Sequence, residues 1–578
     1  MGFASRSEGA SEEIAQLGIL TRHFFTRLFR NDLVDFEDQM KARLVAVLAI
    51  LAVIMGWSSQ LLIFFKYELS PDVGISWQEK NYVFILMMII FGIVTLLEFD
   101  MLFPDRRDFA NLTPLPVRLR TVFAAKLASF IAFIGLFSVA MNSISSVVFS
   151  IFLSQWRSNS LLFGLRYVFA HLIGAFAACF CVFFACMFVN LFLMAILPSA
   201  LQRRISVLVR FVLIAIFLFL LMSFLVDPGS LSGVLRSLPR LKDHGSPLIF
   251  RVPSMWFVGL YEFLLGTTDP DFIALARKAA LMFGLSIGVF GLACALSYFK
   301  HYSKTLETEK KGSRFRSLRE AVAGLAQKAL LMTPEERAVG AFFSKTIRTS
   351  PKHRNVLVNG LAFGAALVML SIMANRRNIQ ALAPVNPLFL AQSILIVLVL
   401  LAAIRVVVDI PAALESNWVF CVTEAAERRR YVSGLKTTIL LQWLLPLSIL
   451  LFLVHAPLWK NVATAGFHAG FCLALSALGL EALFFRYRKI PFASTYVPGK
   501  LQLQIRGVPY LLGIIALLAV LANLDKALLG HQGLFWAFFP AAATLWIILR
   551  IANARFLDSH PLIYEDEPEP AMIGFPEN

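Results

Sequence analysis

Charge is scarce in this chain of 578 residues: 15% are Asp, Glu, Lys or Arg, 58% are apolar, and mean hydropathy is +0.73. So small a polar share excludes an ordinary water-facing surface. Cysteine is sparse as well. Cys179, Cys181, Cys186, Cys294 and Cys472 fall inside long apolar runs and Cys421 in a polar interval, so none suggests an extracellular disulfide framework. Nine scattered histidines define no metal site, and no HExxH, paired-cysteine motif, serine nucleophile elbow or convincing carboxylate constellation is present. The GxxxxGK[ST] phosphate loop is missing too, since the Pro498-Gly499-Lys500 turn lacks the upstream glycine and the following hydroxyl. The amphipathic first forty residues lead into a full-length apolar run and carry no pattern of a cleavable signal peptide.

What the chain has in abundance is apolar blocks of about twenty residues, each able to cross about 30 Å of hydrocarbon as a helix. They predict spans at 44–65, 82–99, 122–153, 167–197, 205–226 and 279–299, then at 356–374, 387–408, 438–455, 463–485, 509–524 and 534–551. The expected fold class is an all-α polytopic membrane protein of about twelve transmembrane helices in a 6+6 arrangement. Residues 14–30 mix Leu, Ile and Phe with Arg22, Arg27 and Arg30, which predicts an amphipathic elbow on the inner membrane surface, or a soluble cap on the inner loops. The domain order is then an elbow (1–42), a first six-helix half (43–299), a basic cytoplasmic linker (300–355), a second half (356–551) and a cytoplasmic tail (552–578).

The formal charge of +17 sits mainly in alternate intervals: with the amino terminus inside, inner segments hold 34 Lys and Arg against 14 outside. This bias predicts cytoplasmic termini in a plasma (inner) membrane and contact with anionic lipid. Nucleic acid is not an expected partner, because the basic linker has neither finger spacing nor an aromatic platform.

Four groups of residues stand out as candidate sites. In the inner interval 100–126, Phe103 and Pro104 precede a compact charged cluster of Asp105, Arg106, Arg107 and Asp108. There Pro114 and Pro116 restrict the backbone, and Arg118, Arg120 and Lys126 can hold a helix start at headgroups. This interval reads either as a docking loop or as a snorkelling connector. The outer region 227–278 contains an aromatic run, 252–265, too short to span and bordered by Pro253. It reads as a re-entrant or interfacial helix anchored by Trp256, Tyr261 and Phe263, or as a small outer loop domain. Arg405 and Asp409, four residues apart, can pair on one helix face. The interval 412–436, with Glu415, Trp418, Glu424, Glu427, Arg428, Arg429 and Arg430, occupies in the second half the place that 100–126 holds in the first. Glu481 and Arg210 near span ends read as snorkelling residues, and His171 and His468 as helix-to-helix hydrogen-bonding groups or substrate contacts.

On these features residues 14–299 resemble an ABC-2 type exporter permease: an amphipathic elbow, two spans, an inner coupling loop, three spans, an outer re-entrant region and a sixth span. Leu112-Thr113-Pro114-Leu115-Pro116-Val117-Arg118 through Lys126 looks like the LPV/R/K stretch that leads into the third span of that family. The resemblance implies that the stretch from Phe103 to Arg120 couples the membrane path to a separate nucleotide-binding subunit. ATP and Mg2+ would reside on that subunit, and this chain would bind no cofactor directly and be a non-catalytic exporter component. The second half reads as a divergent copy, departing at its long inner segment 486–507 and in having no second extended outer segment. A secondary transporter and a non-transporting membrane scaffold are the alternatives.

Overall fold

Hydrocarbon offers no partner to a backbone N–H or C=O, so an apolar block must satisfy its own peptide groups as a helix. The computed structural model describes residues 2–29, 76–97, 117–154, 160–226, 249–305, 333–374, 386–412, 416–422, 427–493 and 503–564, and nearly all of them are helical. Ten of the described helices are long and apolar enough to cross a membrane. The chain is therefore an all-α polytopic membrane protein. The expected span 44–65 lies outside the described residues, as does most of the basic linker before 333.

The chain divides into two compact units, Met1–Thr308 and Glu309–Asn578. In the first, α1 (Gly2–Phe29) is followed by α2 (Ser76–Leu97), α3 (Leu119–Ser154), α4 (Leu161–Ile196), α5 (Ser199–Val226), the short α6 (Pro253–Leu264) and α7 (Pro270–Thr305). Helix α4 is the hub, in contact with α2, α3, α5, α6 and α7. Its buried Ala170, Gly174, Ala175 and Ala178 let neighbouring backbones approach, and the gaps are filled by Phe84, Phe130, Phe183 and Phe257. With twelve residues, α6 is too short to cross, as the length of the run 252–265 suggests. Its burial is the correction: Tyr261 is fully enclosed between α2 and α4, where the sequence suggests an interfacial anchor. Small residues on α4 leave room for its ring, and no periodicity within 252–265 reports that room.

The second unit runs α8 (Pro334–Thr349), α9 (Pro351–Ala374), α10 (Pro387–Asp409), α11 (Ser416–Val422), α12 (Arg429–Ile439), a π-turn (Leu440–Leu444), α13 (Leu445–Trp459), α14 (Val462–Leu483), α15 (Leu503–Gly530) and α16 (Gln532–Ser559). Pro446 explains the π-turn, because its missing amide and bulky ring are relieved by one wider turn just before it. Through this turn the apolar helix Arg429–Trp459 is continuous, so the third span of this unit starts nine residues before the expected 438. Arg429, Arg430 and Lys436 thus belong to a helix, not to a loop. α15 covers the expected span 509–524 and is not among the ten.

The two units repeat one pattern of helix pairing. In the first, α1 packs on α3, α2 on α4 and α5, and α4 on α3, α5 and α7. In the second, α8 packs on α12, α10 on α14 and α15, and α14 on α13, α15 and α16. Part of the basic linker is therefore a second amphipathic helix, α8, opened by a capping box between Thr333 and Glu336. Its Val339, Phe343 and Ile347 pack with Tyr431, Val432 and Leu435 of α12. The segment 486–507 is partly described: Phe492 is buried against Phe343 and His353, and its backbone bonds to Val408 and Ala412.

Gly434 makes the contact of α12 with α8 possible, since a Cβ there would lie 2.5 Å from the carbonyl oxygen of Glu336. Gly434→Ala is expected to destabilise the protein by about 1–3 kcal/mol. Gly513→Ala, at a position with open space, is expected to leave stability unchanged. Thermal unfolding of the detergent-solubilised chain compares the two.

Candidate functional site

Three sets of polar side chains are built into the bundle. The first joins α1 to α3 and α8 to α12. In α1, Leu17, Leu20 and Phe24 meet Val117, Val122 and Ala125, while Ile14 and Ile19 stay exposed on another face, an arrangement suited to a helix at an interface. Glu13 pairs with Arg118 at 3.3 Å and accepts a hydrogen bond from the Thr121 hydroxyl, and Lys126 lies over the Phe24 ring. In α8, Glu335 pairs with Arg430 at 3.5 Å, and Arg430 and Arg429 both reach Glu427, at 2.8 and 3.2 Å. Hydrogen bonds from Arg429 and Arg430 hold the Glu427 carboxyl below its usual range. Ser344 donates to the amide oxygen of Gln442 at 2.8 Å. In both units, then, a carboxylate of the amphipathic helix meets an arginine at the start of the helix it packs on, α3 or α12.

The proline-rich loop itself cannot be placed: Phe103, Pro104, Asp105, Arg106, Arg107, Asp108, Pro114 and Pro116 lie outside the described residues, as do Glu415 and Glu424. Arg118 and Arg120 are exposed at the start of α3. Trp418, on α11, is 70% exposed, and Arg428 precedes α12 in a turn.

The second set lies within the first unit. Lys80, at 0% exposure, pairs with Glu262 of α6 at 2.5 Å and sits over the rings of Tyr261 and Tyr167, at 4.2 and 4.7 Å. Beside them Ser254 donates to Asn81 at 2.5 Å, and His171 of α4 meets the edges of Tyr261 and Phe84. The other expected anchors of α6 part ways. Pro253 is its first residue; Trp256 is half-buried, donates to the Phe250 carbonyl and carries Lys278 over its ring; and Phe263 is 49% exposed.

The third set lies within the second unit, at opposite ends of the hub α14. At one end the His468 Nδ1–H donates to Asp525 of α15 at 2.6 Å, both side chains being fully buried, with the His455 ring 5.2 Å away and Ser393 within 3.4 Å of His455. The other Asp525 oxygen meets no donor among the described residues. Thirteen residues further along, or about 20 Å at helical rise, Glu481 binds Lys436 at 2.5 Å and accepts from Asn553 at 2.9 Å. Glu481 is thus an interior counter-ion instead of a snorkelling residue. Arg405 and Asp409 form their i,i+4 pair, and Arg405 also lies over Phe484 and Tyr487.

Lys80, Glu262, Asp525 and Asn553 are the site residues that the sequence reading passes over. Lys80 and Asp525 sit at the edges of apolar blocks and read as loop residues. The one available signal was Glu262, a carboxylate inside a short apolar run with no basic neighbour. Among the described residues, no group of three or more His, Cys, Asp or Glu is placed to hold a metal ion. What the sets can do is bind helices together by charge and, through a change of partner, let them separate. No family model matches the chain, and neither a curated protein nor a solved structure does.

Removing one member of a buried pair leaves the other charge uncompensated. Lys80→Met alone is expected to cost about 3–5 kcal/mol, and the Lys80→Met/Glu262→Leu double variant to recover most of the loss. Unfolding of the purified chain in detergent, compared across the single and double variants, checks this.

Proposed function

We propose that this chain is the membrane-spanning permease of an ATP-driven exporter in the plasma (inner) membrane, with both termini cytoplasmic. In this reading a separate ABC-type nucleotide-binding subunit carries ATP and Mg2+, and the chain itself is non-catalytic. The observation that carries it is the repeated join of an amphipathic helix to the third span, Glu13 with Arg118 and Glu335 with Arg430. A subunit bearing on the inner surface would act on this join. Displacement of α1 would pass to α3, then to α4, and so to every helix that α4 touches; α8, α12, the π-turn, α13 and α14 offer the same route in the second unit. Within each unit that route joins an inner surface to the buried pairs, which suits a path that must change its exposure in step with a partner.

A secondary carrier is the second reading, favoured by the buried His468 and Asp525 pair with His455 beside it, since such groups suit proton-linked movement. Mild-detergent purification of the intact chain separates the two. An ATPase is expected to copurify and to be lost when Asp105, Arg106 and Arg107 are replaced together. Repeated recovery of an active transporter with no ATPase, or proton-driven flux in ATP-free vesicles, would refute the exporter reading. A stable complex with no ATP-dependent substrate movement would point instead to a membrane scaffold.

A further inference from the structure

The second unit contains a half-open cavity of about 700 Å³ at the arginine-rich end of its helices, walled by α12, α14 and α16 and by the start of α8. Its size is that of a small-molecule site. Its lining divides by chemistry. Arg429, Arg430, Lys436 and Arg550 bring positive charge, whereas Leu440, Ala477, Trp546 and Ile547 form an apolar side further along the same helices. The carboxylates of the lining are already engaged: Glu427 by Arg429 and Arg430, Glu481 by Lys436 and Asn553, and Glu336 in the capping box.

Arg550 is the exception among the cations. It makes no ion pair among the described residues; its guanidinium donates to the Ser433 hydroxyl at 3.3 Å and lies over the Trp546 ring at 4.9 Å. Arg429 is paired with Glu427 and Asp558, Arg430 with Glu427 and Glu335, and Lys436 with Glu481, so among the described residues Arg550 is the lining cation with no carboxylate partner. A phosphodiester oxygen gives Arg550 the anion it lacks, whereas a zwitterionic headgroup would also bring an ammonium beside Arg429, Arg430 and Lys436. Ser433 and Thr437, four residues apart on α12, add hydroxyl donors for phosphate oxygens.

We propose that this cavity binds the headgroup of one monoanionic phospholipid, its phosphate held by Arg550 and the α12 hydroxyls and the start of an acyl chain laid against Leu440, Ala477 and Ile547. The location suits the ligand. Basic pockets between transmembrane helices on the cytoplasmic side recognise anionic headgroups, and a single interval spans the polar-to-apolar change that a phospholipid makes at its glycerol. A free phosphate would use the basic side and leave the apolar wall uncovered. The site stands whether or not an ATPase drives the chain, because it depends only on the second unit and its bilayer.

The test is to measure phosphatidylglycerol retained by the purified full-length chain, by native mass spectrometry and by titration into phosphatidylcholine nanodiscs. One phosphatidylglycerol per chain is expected to bind in preference to phosphatidylcholine. Arg550→Gln is expected to weaken it about tenfold, the loss of one charge-assisted bond, with Arg550→Lys between the two. Lys526→Gln, which removes an exposed charge elsewhere in the unit, is expected to bind as the unaltered chain does. Unfolding in phosphatidylcholine alone establishes that each variant is folded. If Arg550→Gln fails that control, Ala477→Phe takes its place: it fills the apolar side, retains every charge, and is expected to lose the lipid. Undiminished phosphatidylglycerol binding in the folded test variant would overturn the proposal, as would displacement of the lipid by inorganic phosphate at comparable concentration.

Discussion

A carboxylate or ammonium carried into hydrocarbon must find its counter-ion there, because the cost of leaving it alone exceeds what most single packing contacts return. That constraint decides which helices of this protein meet. Lys80 needs a carboxylate, and α6 brings Glu262 to it from 182 residues away in sequence. Lys436 draws the end of α14 to α12 through Glu481, and Asn553 adds α16 to the same junction. Asp525 secures α15 to α14 through His468. Apolar side chains alone would be content with lipid, which is as apolar as they are, so the burial of these few polar groups gives the bundle its specificity of pairing.

Around these junctions the two units are organised on one plan. A central helix, α4 or α14, touches most of its neighbours, and an amphipathic helix, α1 or α8, lies against α3 or α12 with its acid on an arginine. The units nevertheless place their buried ions differently. The first has its pair where the short helix α6 enters the bundle, and the second has one set at each end of α14. The second also holds a cavity faced by Arg550, which has no carboxylate partner among the described residues.

The class of the protein is legible from composition because hydrocarbon tolerates so few solutions. Apolar blocks of spanning length become helices whatever lies around them, and most of the expected spans lie within helices of the described structure. Boundaries are harder to read. The stretch from Arg429 to Lys436 looks like a loop because charge normally marks the edge of a span, and it becomes helix because Lys436 is neutralised inside the bundle and the amphipathic face of α12 is covered by α8. The same cause hides α8 itself, whose charged residues merge with those of the basic linker while its apolar stripe has a partner ninety residues further on.

The sequence by itself determined the fold class, the positions of most spanning helices, the short helix after Pro253 and the local pair of Arg405 with Asp409, because each follows from residues adjacent in the chain or one helical turn apart. Tertiary structure decided the rest: that Tyr261 is a core residue, that Glu262 and Glu481 are counter-ions, that Asp525 belongs to the interior, and that Arg550 faces a cavity. Each of these depends on a contact between distant segments, and a chain encodes such contacts only through the packing of all its helices at once.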